Sequence, residues 1–330
     1  MADGAAPGMS TEPTTPAGIT LSQEGKGPGS EQILTVNFGP HHPSTHGVLR
    51  LIVDVDGEVI RKITPVIGYL HTGIEKTAEA LRYQQAVTVT DRHDYLSPLF
   101  NNLSYAMAVE KLMGVEVPSR AQALRVIMCE LCRISSHMIW LGTSGLEMGA
   151  ISMLWYCLRE RDKVLDLNEE ISGFRMHTSY IRPGGVFADA TSRFLELCNK
   201  FVDEFPASVD EYETLLTENP IFKLRTQGIG YLSREDALRL GMTGPMLRGS
   251  GVNWDQRKPD PYSAYAKSDF QDPADHPGGG VQHPAARQVK ADGGVLGVDV
   301  IRDMRHRLKP ILTRRAQTEL LLLRTYNRGR

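Results

Sequence analysis

Three histidines, His41, His42 and His46, fall within six positions, fenced by two prolines and a glycine in Pro40-His41-His42-Pro43-Ser44-Thr45-His46-Gly47. The prolines fix φ and the glycine permits a sharp bend, so the imidazoles are expected on a stiff turn. Histidine is the side chain that titrates near neutral pH. A stiff turn carrying His42 and His46 is therefore suited to delivering a proton or holding a metal ion. Taken alone, such a cluster reads rather as a solvent-facing loop whose imidazoles do nothing, and His41 fits that role.

The elements that must position this turn are legible around it. Leu34 to Phe38 and Val48 to Val55 are β-like, and Asp56-Gly57 signals a hairpin, so residues 34–70 read as a small antiparallel sheet. From Gly73 the period becomes helical, with helices expected at about 73–86, 94–113, 119–141, 146–171 and 188–217, and a short one from Arg234 to Leu240. Pro118-Ser119 is a helix entry, and Pro183-Gly184-Gly185 breaks the chain. The fold class expected is α+β: a small N-terminal antiparallel sheet capping a mainly helical bundle. The body spans 33–270, divided into a β cap (33–72), a helical bundle (73–217) and a mixed stretch (218–270).

The 330 residues can bury a full core, and a formal charge of −2 leaves no dominant basic face for nucleic acid. Cys129, Cys132, Cys157 and Cys198 lie in helix-like segments, which suits a reducing compartment better than a disulfide framework. Residues 1–32 are rich in Pro, Gly, Thr and Ala and read as a disordered arm, neither a secretory signal nor an Arg-rich transit peptide. Residues 271–330 carry 11 Lys and Arg against 6 Asp and Glu, a net +5 set against −7 for the rest. This tail reads as a lineage-specific extension or as out-of-frame translation, with the second favoured. On either reading 271–297 is expected to be disordered, with a short helix from Val298 to Leu308. The apolar run Met138 to Leu158 has the length of a membrane span, but Glu147 and Gly142-Thr143-Ser144-Gly145 interrupt it, so a buried helix pair is expected.

Five ordered blocks carry a resemblance from Asn37 to about Phe270. They are Val36-Asn37-Phe38-Gly39-Pro40-His41-His42-Pro43-Ser44-Thr45-His46-Gly47-Val48-Leu49-Arg50, Ile67-Gly68-Tyr69-Leu70-His71-Thr72-Gly73-Ile74-Glu75-Lys76, Asp91-Arg92-His93-Asp94-Tyr95, Arg175-Met176-His177 with Tyr180-Ile181-Arg182-Pro183-Gly184-Gly185, and Leu247-Arg248-Gly249-Ser250-Gly251-Val252-Asn253-Trp254-Asp255-Gln256-Arg257-Lys258. Together they resemble the quinone-site subunit of respiratory complex I, known as the 49 kDa subunit in mitochondria and as the D-type subunit of NADH-quinone oxidoreductase in bacteria. That family is related to the large subunit of nickel–iron hydrogenases, so the resemblance implies a hydrogenase large-subunit-like fold.

The resemblance implies that His46 and Tyr95 bind the two carbonyl oxygens of a quinone headgroup. An imidazole (pKa ~6.5) and a phenol (pKa ~10) can both donate hydrogen bonds at neutral pH. It places Glu147 where the family carries an aspartate paired with the loop histidine, so His46 is its expected partner, with Arg159 or Arg161 as structural alternatives. It aligns His177 with a histidine that contacts the terminal [4Fe–4S] cluster held by a neighbouring subunit, with Arg92 in the same region and His42 in the shared loop. A histidine at a surface helix end competes with that reading of His177. Arg133 and His137, four apart on one helix face, read as structural as readily as functional.

The resemblance further implies a proton-translocating enzyme, in which the cluster-bearing subunit, a 30 kDa-type subunit and a quinone-admitting membrane subunit are the partners. The absence of a transit pattern favours the cytoplasmic face of a bacterial inner membrane, where the chain would be peripheral. NAD would be used by the complex and not bound here, since no Gly-x-Gly-x-x-Gly follows a strand. A hydrogenase needs two Cys-x-x-Cys pairs, and Cys129-Glu130-Leu131-Cys132 is the single one here, so neither that enzyme nor a zinc site is expected. The remaining alternatives are a non-catalytic or assembly-defective homologue and a related complex fed by another electron donor.

Overall fold

The structure is a computed structural model that describes residues 19–20, 33–42, 47–226, 229, 231–252, 254–267 and 304. The tail from 271 onward, Met304 apart, and most of the arm lie outside the described residues, as does nearly all of the helix expected over Val298 to Leu308. The chain divides into two compact units, residues 1–77 and 78–330.

The first unit is an antiparallel sheet in the order β1-β2-β3-β4, from β1 (Ile19–Thr20), β2 (Ile33–Phe38), β3 (Arg50–Asp56) and β4 (Val59–Val66). Strand β1 falls inside the stretch expected to be disordered, and pairs Ile19 with Val36. The Asp56-Gly57 hairpin forms as expected: Gly57 sits at φ 60°, which glycine reaches without steric cost, and Asp56 pairs with Val59. The histidine turn spans β2 and β3. Its base is closed where Phe38 pairs with Leu51 and where Arg50 donates to Asn37 Oδ1 at 2.9 and 3.2 Å.

The expected helix at 73–86 is two helices, α1 (Ile74–Glu79) and α2 (Tyr83–Thr90). Arg82 is extended (φ −70°, ψ 153°), and its N–H donates to Gln85 Oε1 at 3.1 Å, so a cap stands where periodicity predicted continuity.

The second unit is helical: α3 (Pro98–Met113), α4 (Ser119–Glu147), α5 (Ile151–Ser172), α6 (Ser192–Tyr212), a π-helical turn at Glu213–Thr217, then α7 (Pro220–Thr226), α8 (Arg234–Arg239) and α9 (Gly244–Gly249). Two short strands, β5 (Ile181–Arg182) and β6 (Gly185–Val186), make a hairpin between α5 and α6. The mixed α+β class is as expected. Helix α4 is the centre of this unit. Every residue from Arg125 to Cys132 is buried, so the helix is enclosed on all sides there. Leu124, Met128, Leu131, Ile134, Met138 and Leu141 pack with Met153, Cys157 and Val164 of α5 and Phe194, Phe201 and Phe205 of α6.

Charges enclosed with this apolar core must be paired. Arg125 forms a buried bidentate pair with Glu110 of α3 (2.5 and 3.1 Å). The same guanidinium donates to the carbonyls of Arg182 (2.7 Å) and Gly185 (2.9 Å), while the Gly184 N–H donates to Glu110 Oε1 (2.7 Å). The Pro183-Gly184 turn, with Gly184 at φ 88°, is thus fastened to α3 and α4 by one ion pair. Lower on α4, Glu130 pairs with Arg133 (3.1 Å) and Arg257 (3.2 Å), and the Tyr265 hydroxyl donates to it. Arg257 is also paired with Asp255, so the fifth sequence block is anchored to the core helix.

The apolar run Met138 to Leu158 is broken at 148–150 into the ends of α4 and α5, the helix pair expected, and no helix among the described residues is long and apolar enough to cross a membrane. The glycines that interrupt the run let the two helices meet. A Cβ on Gly142 would stand 3.1 Å from Leu154 Cδ1, 3.2 Å from Leu154 Cα and 3.3 Å from Cys157 Cβ. Gly142→Val is expected to overpack this crossing and to lower unfolding stability by about 1–3 kcal/mol in a urea titration. An unchanged midpoint would show that the crossing has slack.

Candidate functional site

The third and fourth sequence blocks meet in the second unit, and the agent is Asp91. This carboxylate ends α2 and is fully buried. It accepts from Asn102 Nδ2 at 2.6 Å, from the Ser179 N–H at 3.1 Å and from the Ser179 hydroxyl at 2.5 Å. Asn102 is itself held by the Thr90 hydroxyl (2.7 Å). The Asp91 carbonyl stands 3.1 Å from His177 Nδ1. A carbonyl can only accept, so this bond puts an imidazole proton on Nδ1. His177 (φ 53°) and Ser179 (φ 42°) both occupy the left-handed region, which disfavours non-glycine residues, and Asp91 contacts both.

His177 is therefore not the helix-end residue that competed with the ligand reading; it sits in a constrained loop after α5. That loop is tied at several further points. Asn168 Nδ2 donates to the Arg175 carbonyl (3.1 Å), the Ser172 hydroxyl to the Phe174 carbonyl (3.2 Å), and the Tyr180 hydroxyl to the Ala188 carbonyl (2.7 Å). The Arg175 side chain pairs with Asp162, Asp166 and Glu169 of α5.

Tyr95 lies on the turn that Asp91 begins, and its ring is half exposed. Tyr95 and His177 line one surface depression, together with Ser135 of α4, Arg161 and Asn168 of α5, and Thr178. Arg92, next in sequence to Asp91, stands 3.8 Å from the Asp91 carboxylate and donates to the Thr88 carbonyl at 2.5 Å. Of the expected residues, Arg92 is thus beside the Asp91 carboxylate and His177 is bonded to the Asp91 backbone carbonyl, while Tyr95 follows four positions along the same turn.

The other three are placed differently. His42 belongs to the first unit, its ring edge-on to Phe38 with centroids 5.2 Å apart, and His46 lies outside the described residues. Glu147 is not inside an apolar helix as expected. Helix α4 runs six residues further than its apolar stripe suggested, and Glu147 is its exposed last residue, outside the depression. Arg159, one of its candidate partners, is taken by Glu160 (2.8 Å) and Glu211 (2.6 Å). Arg133 rests on the Phe100 ring 4.3 Å from its centroid as well as on Glu130, a structural role.

All four cysteines are buried and free. The Cys129 and Cys132 thiols face the carbonyls of Leu99 (3.8 Å) and Leu96 (3.9 Å). Burial pushes Cys132, Cys157 and Cys198 up to about 12, and Cys129 well above the ordinary thiol range.

Asp91, Asn168 and Thr178 carried no assigned role in the sequence reading, and Arg161 only that of an alternative partner for Glu147. Asp91 opens a quoted block. Arg161 and Asn168 are seven apart on α5, two turns along one face, and that spacing of polar residues in an otherwise core-facing helix was the available signal.

Residues 147–287 match the family model described as the respiratory-chain NADH dehydrogenase 49 kDa subunit. The likeness therefore runs past Phe270, where the block reading ended it. An NADH-quinone oxidoreductase D-type subunit of Koribacter versatilis, the one numbered 2, is 54% identical over 245 residues, 74% of this chain and 61% of that protein. The NADH-quinone oxidoreductase D-type subunit of Geobacter metallireducens is 54% identical over 244 residues, 74% and 63% of the two chains. That of Chloroflexus aurantiacus, again the one numbered 2, is 52% identical over 245 residues, 74% and 60%. The chain spans about three-fifths of the length of these relatives. Five ordered blocks, two of them joined through Asp91, and identities above one half lead to one conclusion: the chain belongs to the family of the 49 kDa subunit of respiratory-chain NADH dehydrogenase.

Proposed function

We propose that this chain forms the quinone-reduction site of a proton-translocating NADH-quinone oxidoreductase. The observation that carries the reading is one depression lined by a half-exposed phenol, Tyr95, and a constrained imidazole, His177, in a chain whose relatives bear that enzyme's name. Reduction of a quinone takes two electrons and two protons. Tyr95 donates a hydrogen bond to one carbonyl oxygen and His46 to the other, as a phenol and an imidazole can. A [4Fe–4S] cluster in a neighbouring subunit supplies the electrons. His177, its Nδ1 proton committed to Asp91, presents Nε2 toward that neighbour, and Arg92 adds positive charge beside it. His42 shapes the histidine turn through Phe38. Glu147 is the carboxylate that the family resemblance assigns to the loop histidine.

The chain is a peripheral subunit on the cytoplasmic side of a bacterial inner membrane. Its partners are the cluster-bearing subunit, a 30 kDa-type subunit and the membrane subunit that admits the quinone tail. NAD binds elsewhere in the complex.

The test is made in the assembled complex. Tyr95→Phe and His46→Ala are each expected to lower quinone reductase activity, by roughly the ~10²-fold scale of a lost general acid, while NADH still reduces the clusters. Unchanged quinone turnover in both variants would refute the assignment.

A further inference from the structure

We propose that Arg161, Asn168 and Thr178 form a binding site for a carboxylate group. Three buried polar atoms, Arg161 Nε, Asn168 Oδ1 and Thr178 Oγ1, have no hydrogen-bond partner among the described residues, and all three residues line the same depression. Thr178 is 4% exposed and Asn168 8%, so neither side chain can look to bulk solvent for a partner. A buried polar atom left without a partner costs about 1–3 kcal/mol, and such atoms are rare enough that three in one hollow call for an occupant. The Asn168 amide has a set orientation: Nδ2 is committed to the Arg175 carbonyl, which fixes Oδ1 as the open acceptor.

Charge selects the class of occupant. Arg175 collects the carboxylates of Asp162, Asp166 and Glu169, whereas Arg161 on the same helix makes no ion pair among the described residues. Burial first, and then the nearby Arg175 cation, hold Arg161 below the usual guanidinium range, with Cys132 and the Asp162 carboxylate offsetting only part of that. A ligand that brings a negative charge relieves that penalty, and a neutral one does not. One carboxylate oxygen accepts from Arg161 Nε–H and the other from the Thr178 hydroxyl, a charge-assisted arrangement. Asn168 Oδ1 needs a donor that a carboxylate lacks, so a water shared with the ligand completes it.

A free small-molecule carboxylate and an acidic side chain of an adjoining subunit present the same group. The site shares its depression with Tyr95 and His177 of the quinone reading, but none of its own three residues is given a part in quinone reduction.

Equilibrium dialysis of labelled acetate, against acetamide as the neutral isostere, tests the proposal on the purified full chain and on the assembled complex at fixed ionic strength. Acetate is expected to bind the full chain and acetamide to bind far more weakly. Arg161→Met should abolish acetate binding, and Arg161→Lys should retain part of it. If Arg161→Met does not fold, Thr178→Val serves instead, with affinity about fivefold weaker for one lost hydrogen bond. Acetate binding that disappears in the complex assigns the site to a neighbouring chain's acidic side chain; binding that persists there assigns it to a free carboxylate. Equal binding of acetamide, acetate binding that survives in Arg161→Met, or no binding to either preparation overturns the proposal.

Discussion

Arg125→Met is expected to lower the unfolding free energy by about 3–5 kcal/mol, the scale for stripping one partner from a buried ion pair. Arg125 is 1% exposed and Glu110 7%, so the carboxylate left behind has no route to water. The loss extends to the backbone, because the Arg182 and Gly185 carbonyls lose their donor and the β5–β6 turn loses its fastening to α4. Urea unfolding followed by far-UV circular dichroism measures the effect. Adding Glu110→Leu to Arg125→Met should recover part of it, since an apolar pair of similar volume avoids the stranded charge. A single-variant loss under about 1 kcal/mol would show that the pair contributes little beyond its packing.

Asp91→Ala carries the second large effect, and it reaches the site directly. It leaves Asn102 Nδ2 and both Ser179 donors without their acceptor, at about 1–3 kcal/mol for each buried group that finds no substitute. It also releases the side-chain restraint on Ser179, whose left-handed strain, about 1–3 kcal/mol, then relaxes by loop movement, while the bond from His177 to the backbone carbonyl of residue 91 is retained. The net expectation is a stability loss of about 2–4 kcal/mol together with faster hydrogen exchange at the Ser179 amide. In the assembled complex, quinone turnover should fall although Tyr95 and His177 are both still present. Turnover at the parent level, with a displaced loop shown by exchange, would separate the site from the loop that we assign to it.

The long elements were readable because their burial is periodic. Leu124, Met128, Leu131, Ile134, Met138 and Leu141 mark α4 by spacing alone, and Asp56-Gly57 marks the β3–β4 turn by the conformation glycine permits. The break at Arg82 was not readable, since no proline or glycine stands there and the stop comes from a side chain three residues on. The end of α4 was misjudged for a related reason: the apolar stripe finishes before the helix does, and hydrogen bonds carry the chain on to Glu147. For the site, the residue types in the blocks pointed to Tyr95, Arg92 and His177. What joins them is a contact between Asp91 and Ser179, separated by 88 positions, made by a side chain to a backbone amide. Such contacts leave no period in a sequence, and the Arg161, Asn168 and Thr178 cluster, spread over α5 and the loop after it, is hidden in the same way.

The sealed thiols give the molecule a built-in stopwatch. Sulfur reacts with alkylating agents as thiolate, and a group pushed up to about 12, as Cys132, Cys157 and Cys198 are, is ionised only to ~1 part in 10⁵ at pH 7 even before its lack of access is counted. Those three sulfurs sit on α4, α5 and α6, one in each of the three longest helices among the described residues, so none can be modified until the helix packing opens. The rate of covalent labelling therefore times the opening of the helical core, with no tag or engineered probe added.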